Sequence, residues 1–249
     1  MTHASAPTAA PAPEILPLGL DGVLVRFALR FEARANRAAR ALSAALEAAP
    51  LHGQVECVSA LASVLVRFDR MTTTRVAIEA ALSERLNDIQ SAPHRPDRIW
   101  HIPASFGGEN GPQLAPVAQI AGLGEGALVD QLCATPLDVL AIGFAPGQPY
   151  LGLLPENWEM PRLSALTPEV PAGAIVTAIR QIVLFANASP TGWRWLGRCA
   201  FRPFQLRADN PVPLRAGDGV QFIPVAQSAL SAIEATGDPM GGARLERTS

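Results

Sequence analysis

Three short segments gather the residue types from which a binding site is built: Gly143-Phe144-Ala145-Pro146-Gly147-Gln148-Pro149-Tyr150-Leu151, Ser189-Pro190-Thr191-Gly192-Trp193 and Gly217-Asp218-Gly219-Val220-Gln221-Phe222. In the first, Pro146 and Pro149 lock φ and carry no N–H, while Gly147 is free to take φ > 0. A loop so built holds one shape, and it either walls a site or only turns a corner between strands. What the chain cannot do is equally informative. All 20 basic residues are arginine, which excludes Schiff-base chemistry, a biotinylated carrier and a phosphate-loop lysine, because each requires an ε-amine. Arginine can bind carboxylate or phosphate but does not serve as a base. Cys57, Cys133 and Cys199 are odd in number, far apart and without metal-ligand spacing, so they read as inert thiols in a reducing cytoplasm, and no metal site is expected.

The elements that must position these segments follow from periodicity. With 249 residues and 49% hydrophobic content the chain can fill one large core or two small ones. A net charge of −2, with no basic face carrying interleaved aromatics, argues against nucleic acid as a partner. No apolar run reaches the length that crosses a bilayer. Residues 1–14, MTHASAPTAAPAPE, lack the cationic start and apolar core of a secretory signal and are expected to form a disordered leader.

From residue 15 the pattern predicts a strand over 15–27, a helix over 34–49, strands over 54–58 and 63–68, a helix over 74–86 and a strand over 98–102. That β-α-β-β-α-β order is the plan of a ferredoxin-like domain, here 15–104. The connector Phe106-Gly107-Gly108-Glu109-Asn110-Gly111-Pro112 then leads into one or two short helices within 113–133. Short apolar strands follow at 137–144, 174–178, 181–186, 194–196, 204–206 and 220–225, as in a β-barrel or sandwich. Ser189-Pro190-Thr191-Gly192 suits a type I turn, after which Trp193 and Trp195 share one face of the next strand. The second domain spans 105–226, and 227–249 is expected to be weakly ordered.

Taken in order, several of these segments resemble the allophanate hydrolase subunit 1 family, whose members are also known as KipI proteins or as B-type subunits of 5-oxoprolinase. The resemblance covers roughly 15–226. It is carried by Gly143–Leu151, Pro161-Arg162, Val170-Pro171-Ala172-Gly173, Gln181, Ser189-Pro190 with Gly192-Trp193, Gly197-Arg198, and Gly217-Asp218 with Val220 and Phe222. It implies an α+β architecture, a ferredoxin-like domain joined to a cyclophilin-like β-barrel. The chain departs from the family where Leu132 replaces a His, Thr167 an Arg, Ala178-Ile179-Arg180 a glycine-rich stretch and Thr191 a Gly. Bulkier residues in place of glycine imply a smaller or closed pocket.

The resemblance implies a component of an ATP-dependent 5-oxoprolinase, which opens 5-oxo-L-proline to L-glutamate. The partners would be a second cyclophilin-like subunit of the C type and a subunit of the A type. No nucleotide-binding signature is present, so ATP would be shared with those partners. Arg162 would clamp an anion, Gln181 would read an amide and Tyr150 would donate its hydroxyl, with Ser189, Gly192 and Trp193 completing the substrate site. Gly143, Phe144, Pro146, Gly147 and Pro149 would be its loop framework. In the alternative, Arg162 pairs with Glu159 or Glu169, Gln181 ties strands together and Tyr150 and Trp193 only pack. No catalytic residue is assigned. The same family includes protein-binding inhibitors of histidine kinases, and components of allophanate hydrolase and urea carboxylase share the fold, so those two roles stand beside the oxoprolinase.

Overall fold

In the computed structural model, which describes residues 12–88, 96–134 and 136–248, the chain divides into two units, Met1–His94 and Arg95–Ser249. The first contains β1 (Glu14–Leu18), β2 (Gly22–Arg26), α1 (Ala33–Ala48), β3 (Gln54–Ser59), β4 (Ser63–Phe68) and α2 (Arg75–Asp88). The segment expected to be one strand is two. Gly19, at φ +63, turns the chain so that β1 folds back on β2 with Leu16 opposite Leu24. The order is therefore β-β-α-β-β-α, and the antiparallel sheet runs β1-β2-β4-β3. The strand expected to complete this sheet, 98–102, belongs to the other unit, and the hairpin strand β1 stands at the sheet edge instead.

One face of this sheet carries the core. Val23 and Val25 of β2 and Val64 and Val66 of β4 meet Ala39, Leu42 and Leu46 of α1 and Ile78 and Leu82 of α2 in a single buried cluster. The Thr74 hydroxyl accepts a hydrogen bond from the Ala77 N–H at 3.3 Å and caps α2. Of the expected leader, residues 1–11 lie outside the described residues, and Glu14 already belongs to β1.

The second unit begins with β5 (Arg98–Phe106), so the boundary expected near 104 falls inside a strand. Then come α3 (Leu114–Ala121), α4 (Glu125–Cys133), β6 (Leu137–Ile142), β7 (Pro149–Gly152), β8 (Thr167–Val170) and β9 (Ala174–Ala178). They are followed by β10 (Gln181–Leu184), β11 (Ser189–Thr191), β12 (Arg194–Cys199), β13 (Gly219–Pro224), α5 (Gln227–Ala235) and β14 (Arg244–Arg247). Seven strands close into a barrel in the order β5-β13-β6-β7-β10-β9-β12, with β12 returning to β5. Closure depends on the length of β5. Its first residues pair with β14 and its last, Ala104 to Phe106, with β12, while β13 runs parallel along the opposite edge.

Alternation sorts the barrel's side chains into two layers. Trp100, Ile102 and Ala104 of β5, Val220 and Phe222 of β13, and Ile182 and Leu184 of β10 fill the interior with Val117 of α3 and Leu132 of α4. Outside, Ala174, Val176, Ala178, Val183 and Phe185 form a second apolar layer with Val170 and Trp193. Both β9 and β10 are thus buried on both faces.

Three expectations are corrected here. Residues 227–249 are not weakly ordered throughout, since they hold α5 and β14, whose Glu246 carboxylate lies 2.6 Å from His101 Nε2 of β5. Residues 204–206 are not a strand. The chain folds on itself there between prolines, with Gln205 N donating to Pro211 O at 2.8 Å. Ser189–Thr191 is a short strand paired with β8 rather than a type I turn, and the Thr191 hydroxyl accepts from Trp193 N at 3.0 Å. Among the described residues no helix is long and apolar enough to cross a membrane.

Asp218 secures the parallel β5–β13 pair. Its carboxylate, in a residue 3% exposed, accepts from Trp100 Nε1 at 2.9 Å and Arg215 N at 3.0 Å and lies 3.3 Å from Arg98 Nη2. Arg98 also donates to Pro213 O and stacks over the Trp100 ring. Burial pushes the Asp218 carboxyl above its ordinary range, against these donors, which lower it. All four tryptophans, Trp100, Trp158, Trp193 and Trp195, lie in this unit, so their fluorescence reports its unfolding alone. Asp218→Ala leaves Arg98 buried without its counter-charge and is expected to cost about 3–5 kcal/mol in urea titrations followed by tryptophan emission. Asp218→Asn keeps a neutral acceptor and should cost less. A folded pKa above the unfolded one favours folding most at low pH, so the wild-type advantage over Asp218→Asn should widen as pH falls toward the unfolded carboxylate range.

Candidate functional site

The loop between β6 and β7 is closed by its own backbone, with Gly143 N donating to Gln148 O at 3.0 Å and Gln148 N to Ala145 O at 3.1 Å. Gly147 sits at φ +71, and a Cβ there would lie 2.3 Å from Pro203 O, so no other residue fits without displacing the neighbouring backbone. Phe144 takes φ 71 and is 84% exposed, which holds an apolar ring at the lip of the loop. Along β7, Leu151 enters the barrel and Tyr150 faces outward, opposite Val183 of β10.

Trp193 continues that outer layer. Its ring meets the Tyr150 ring edge-on, with centroids 6.2 Å apart and planes at 76°. The stretch after Trp158 is laid over the same face. Ile179 N donates to Met160 O at 2.8 Å, Leu163 N to Gly192 O at 2.6 Å, and an Arg194 guanidinium N–H to Pro161 O. This strap carries Arg162, whose guanidinium carbon stands 5.6 Å from the centre of the Trp193 ring. Arg162 makes no ion pair among the described residues, neither with Glu159 nor with Glu169.

Together these elements enclose a cavity of about 290 Å³ on the outside of the barrel. Tyr150, Arg162, Gly192 and Trp193 all line it, and Phe144 and Leu166 stand at its mouth. Val183 and Phe185 form an apolar floor. Of the expected smaller or closed pocket, the closed form does not hold, although Thr191 does line the cavity. The bulky Ile179 and Arg180 occupy the β9–β10 turn, at φ 45 and 62, and do not line the cavity.

Two predicted residues are placed elsewhere. Gln181 is on the outer face but pairs with Gly152, two residue pairs beyond Tyr150 and Val183, and does not line the cavity. Ser189 pairs with Val170 in the small β8–β11 sheet. Leu132, where the family's His is expected, is 2% exposed in the barrel core. The residue missed by sequence is Gln148. It is 2% exposed, lines the cavity, and its side chain hydrogen-bonds to no described residue. It stands in the first of the three chemistry-bearing segments, between a glycine and a proline whose backbone roles draw attention away from it.

The cavity has one cation, an aromatic wall and a buried amide, and no carboxylate, histidine or cysteine among its lining residues. It can hold and orient a small planar anion, but it offers no acid–base pair. The lining offers a nucleoside triphosphate one cation and no carboxylate, a poor match to several phosphates and their metal. The thiols supply no nucleophile: burial pushes Cys133 and Cys199 up to about 12, and raises Cys57 as well.

The family described as carboxyltransferase domain, subdomain C and D, matches residues 13–214. The chain is 30% identical over 224 residues to the B-type subunit of 5-oxoprolinase from Bacillus subtilis (strain 168), covering 86% of this chain and 93% of that protein. The crystal structure of TTHA0988 superposes with a TM-score of 0.71 at 29% identity, covering 82% of this chain and 40% of that one. Urea amidolyase of K. lactis, at 18% identity, shares the fold with a TM-score of 0.77, covering 99% of this chain but 17% of that chain.

Two outcomes are expected. Gly147→Ala should lower stability by more than ~1 kcal/mol in thermal melts, since the new Cβ meets backbone at a positive φ. Iodoacetamide at pH 8 should modify Cys133 and Cys199 far more slowly in the folded chain than in urea, as read by mass spectrometry of alkylated peptides; equal rates would contradict raised thiol pKa values.

Proposed function

Because this chain belongs to the carboxyltransferase domain, subdomain C and D, family, with a B-type 5-oxoprolinase subunit as a relative along most of its length, we propose that it is the B-type component of an ATP-dependent 5-oxoprolinase. The assembly would open 5-oxo-L-proline with water and ATP, giving L-glutamate, ADP and phosphate. In this reading the seven-strand barrel is of the cyclophilin-like kind, and the first unit is a relative of ferredoxin-like domains with its edge strand replaced. The partners are an A-type subunit and a second barrel subunit of the C type.

The observation that carries the reading is Arg162 held over Trp193 beside Tyr150, without a competing carboxylate among the described residues. A stacked guanidinium with free N–H groups suits a carboxylate on a small ring, and the Trp193 and Tyr150 faces suit the ring itself. Hydrolysis of an unactivated amide also requires activation of the carbonyl and a group that moves protons. No carboxylate, histidine or cysteine lines this cavity, so the reading assigns ATP and proton transfer to the partner subunits. The chain's own residues bind and orient.

A second reading, a module that binds a histidine kinase without turnover, draws on the exposed Phe144 and Leu166 at the cavity mouth. The two are separated by measuring 5-oxoproline-dependent ADP release by this chain alone and co-purified with the A- and C-type subunits of its own genome. Release is expected only from the assembly, and Arg162→Gln in the assembly should raise KM for 5-oxoproline about 10-fold or more, matching the loss of a charge-assisted hydrogen bond. Assembly without turnover would overturn the oxoprolinase reading in favour of the second.

A further inference from the structure

Gln148 is a buried amide with no partner among the described residues. The residue is 2% exposed and lines the cavity, and its amide atoms are not among the side-chain atoms that are both sealed from solvent and unpaired. Its position agrees, because it is the loop residue that directly precedes β7 (Pro149–Gly152), next to the strand that carries the cavity-lining Tyr150. No described side chain pairs with that amide, and the apolar floor of Val183 and Phe185 offers it no partner, so a ligand in the cavity meets an unpaired donor and acceptor. A core position would be better served by methionine or leucine.

We infer that Gln148 is the specificity-determining residue of this cavity, selecting ligands that carry a planar cis-amide, as in a lactam or a cyclic ureide. The inference rests on the reading of the cavity as a substrate site and deepens it. A primary amide presents one acceptor and one donor side by side in a plane. A cis-amide presents the complementary pair: the ligand N–H donates to Oε1 while Nε2–H donates to the ligand carbonyl. A carboxylate offers acceptors only and leaves Oε1 facing negative charge, and an ammonium offers donors only. Gln148 thus discriminates where Arg162 attracts, one reading the ring amide and the other an anionic substituent. This is the role that sequence reasoning gives to Gln181, which the strand register puts two pairs too far along.

The test reads binding rather than turnover, in the full chain and in the assembly, by calorimetry with three probes. These are 5-oxoproline, cyclopentanecarboxylate with the same ring size and carboxylate but no amide, and hydantoin with the amide but no carboxylate. The wild type is expected to prefer 5-oxoproline to cyclopentanecarboxylate by about 10- to 100-fold, the range set by leaving a buried polar group unpaired. Gln148→Met should bind the two alike. Its melting temperature should equal or exceed that of the wild type, whereas a structural glutamine would lower it on replacement. Hydantoin binding that Gln148→Met abolishes, without binding of 5-oxoproline, would keep the role of Gln148 and sink the oxoproline reading. A preference for 5-oxoproline that survives in Gln148→Met, or no preference for either amide probe over cyclopentanecarboxylate, overturns the inference.

Discussion

A single buried carboxylate holds the barrel shut. The β5–β13 pair is the barrel's parallel one, with Gly219 opposite Ile99 and Ile102 opposite Phe222, and about 110 residues separate its two strands, so closing it carries a large entropic cost before any contact offsets it. Asp218 stands where that cost must be met. From the turn before β13 it takes the Trp100 and Arg215 N–H groups and faces Arg98, while its own carbonyl accepts from Val139 N of β6 at 2.7 Å. Three strands therefore meet at one residue. The charge is not free of cost, as its raised pKa shows, and its value lies in fixing register where hydrophobic packing alone would tolerate a slip.

Closure also creates the site, though the site is outside the barrel. A closed sheet has an interior to fill, and here Leu151, Ile182 and Leu184 fill it. The alternate residues of the same strands then face outward and must be covered or left wet. The strap after Trp158 and the β8–β11 ribbon cover part of that outer layer, and the uncovered remainder between Phe144, Leu166 and Trp193 is the cavity. The stiff loop matters because it fixes one edge of this gap. Gly147 packs against the Pro203 carbonyl with no room to spare, which ties the lip to a segment on the far side of β12.

The sequence was most legible where a local rule decides the outcome. Helical periodicity located α1 and α2 within a residue or two, and β3, β4 and β9 followed from short apolar runs. It was least legible where a distant partner decides. The split of 15–27 depends on one glycine whose positive φ cannot be seen in composition. Residues 98–106 alternate as any strand would, and nothing local says which of two sheets they join. Arg244–Arg247 is too polar to announce a strand, yet it pairs with the free half of β5. At the site, Arg162 and Trp193 were readable as side chains suited to anions and rings, whereas choosing Gln148 over Gln181 needed the folded structure: both are buried glutamines, and only the cavity tells them apart.

The same register explains why the cavity's lining holds a guanidinium and an amide and no carboxylate, histidine or cysteine. Groups able to move a proton need water or charged partners, and the outer layer around Val183 and Phe185 is walled by strands buried on both faces, where such groups would be destabilising. A guanidinium is tolerated because it stacks on Trp193 and remains exposed at the mouth, and an amide is tolerated because it is neutral. The open side is rimmed by Phe144 and Leu166, whose apolar exposure suits a protein surface better than solvent. Under the proposed function, an orienting half-site with an apolar rim is what a chain needs whose reacting groups would reside in a partner: the barrel supplies position, and the partner would supply the reacting charge.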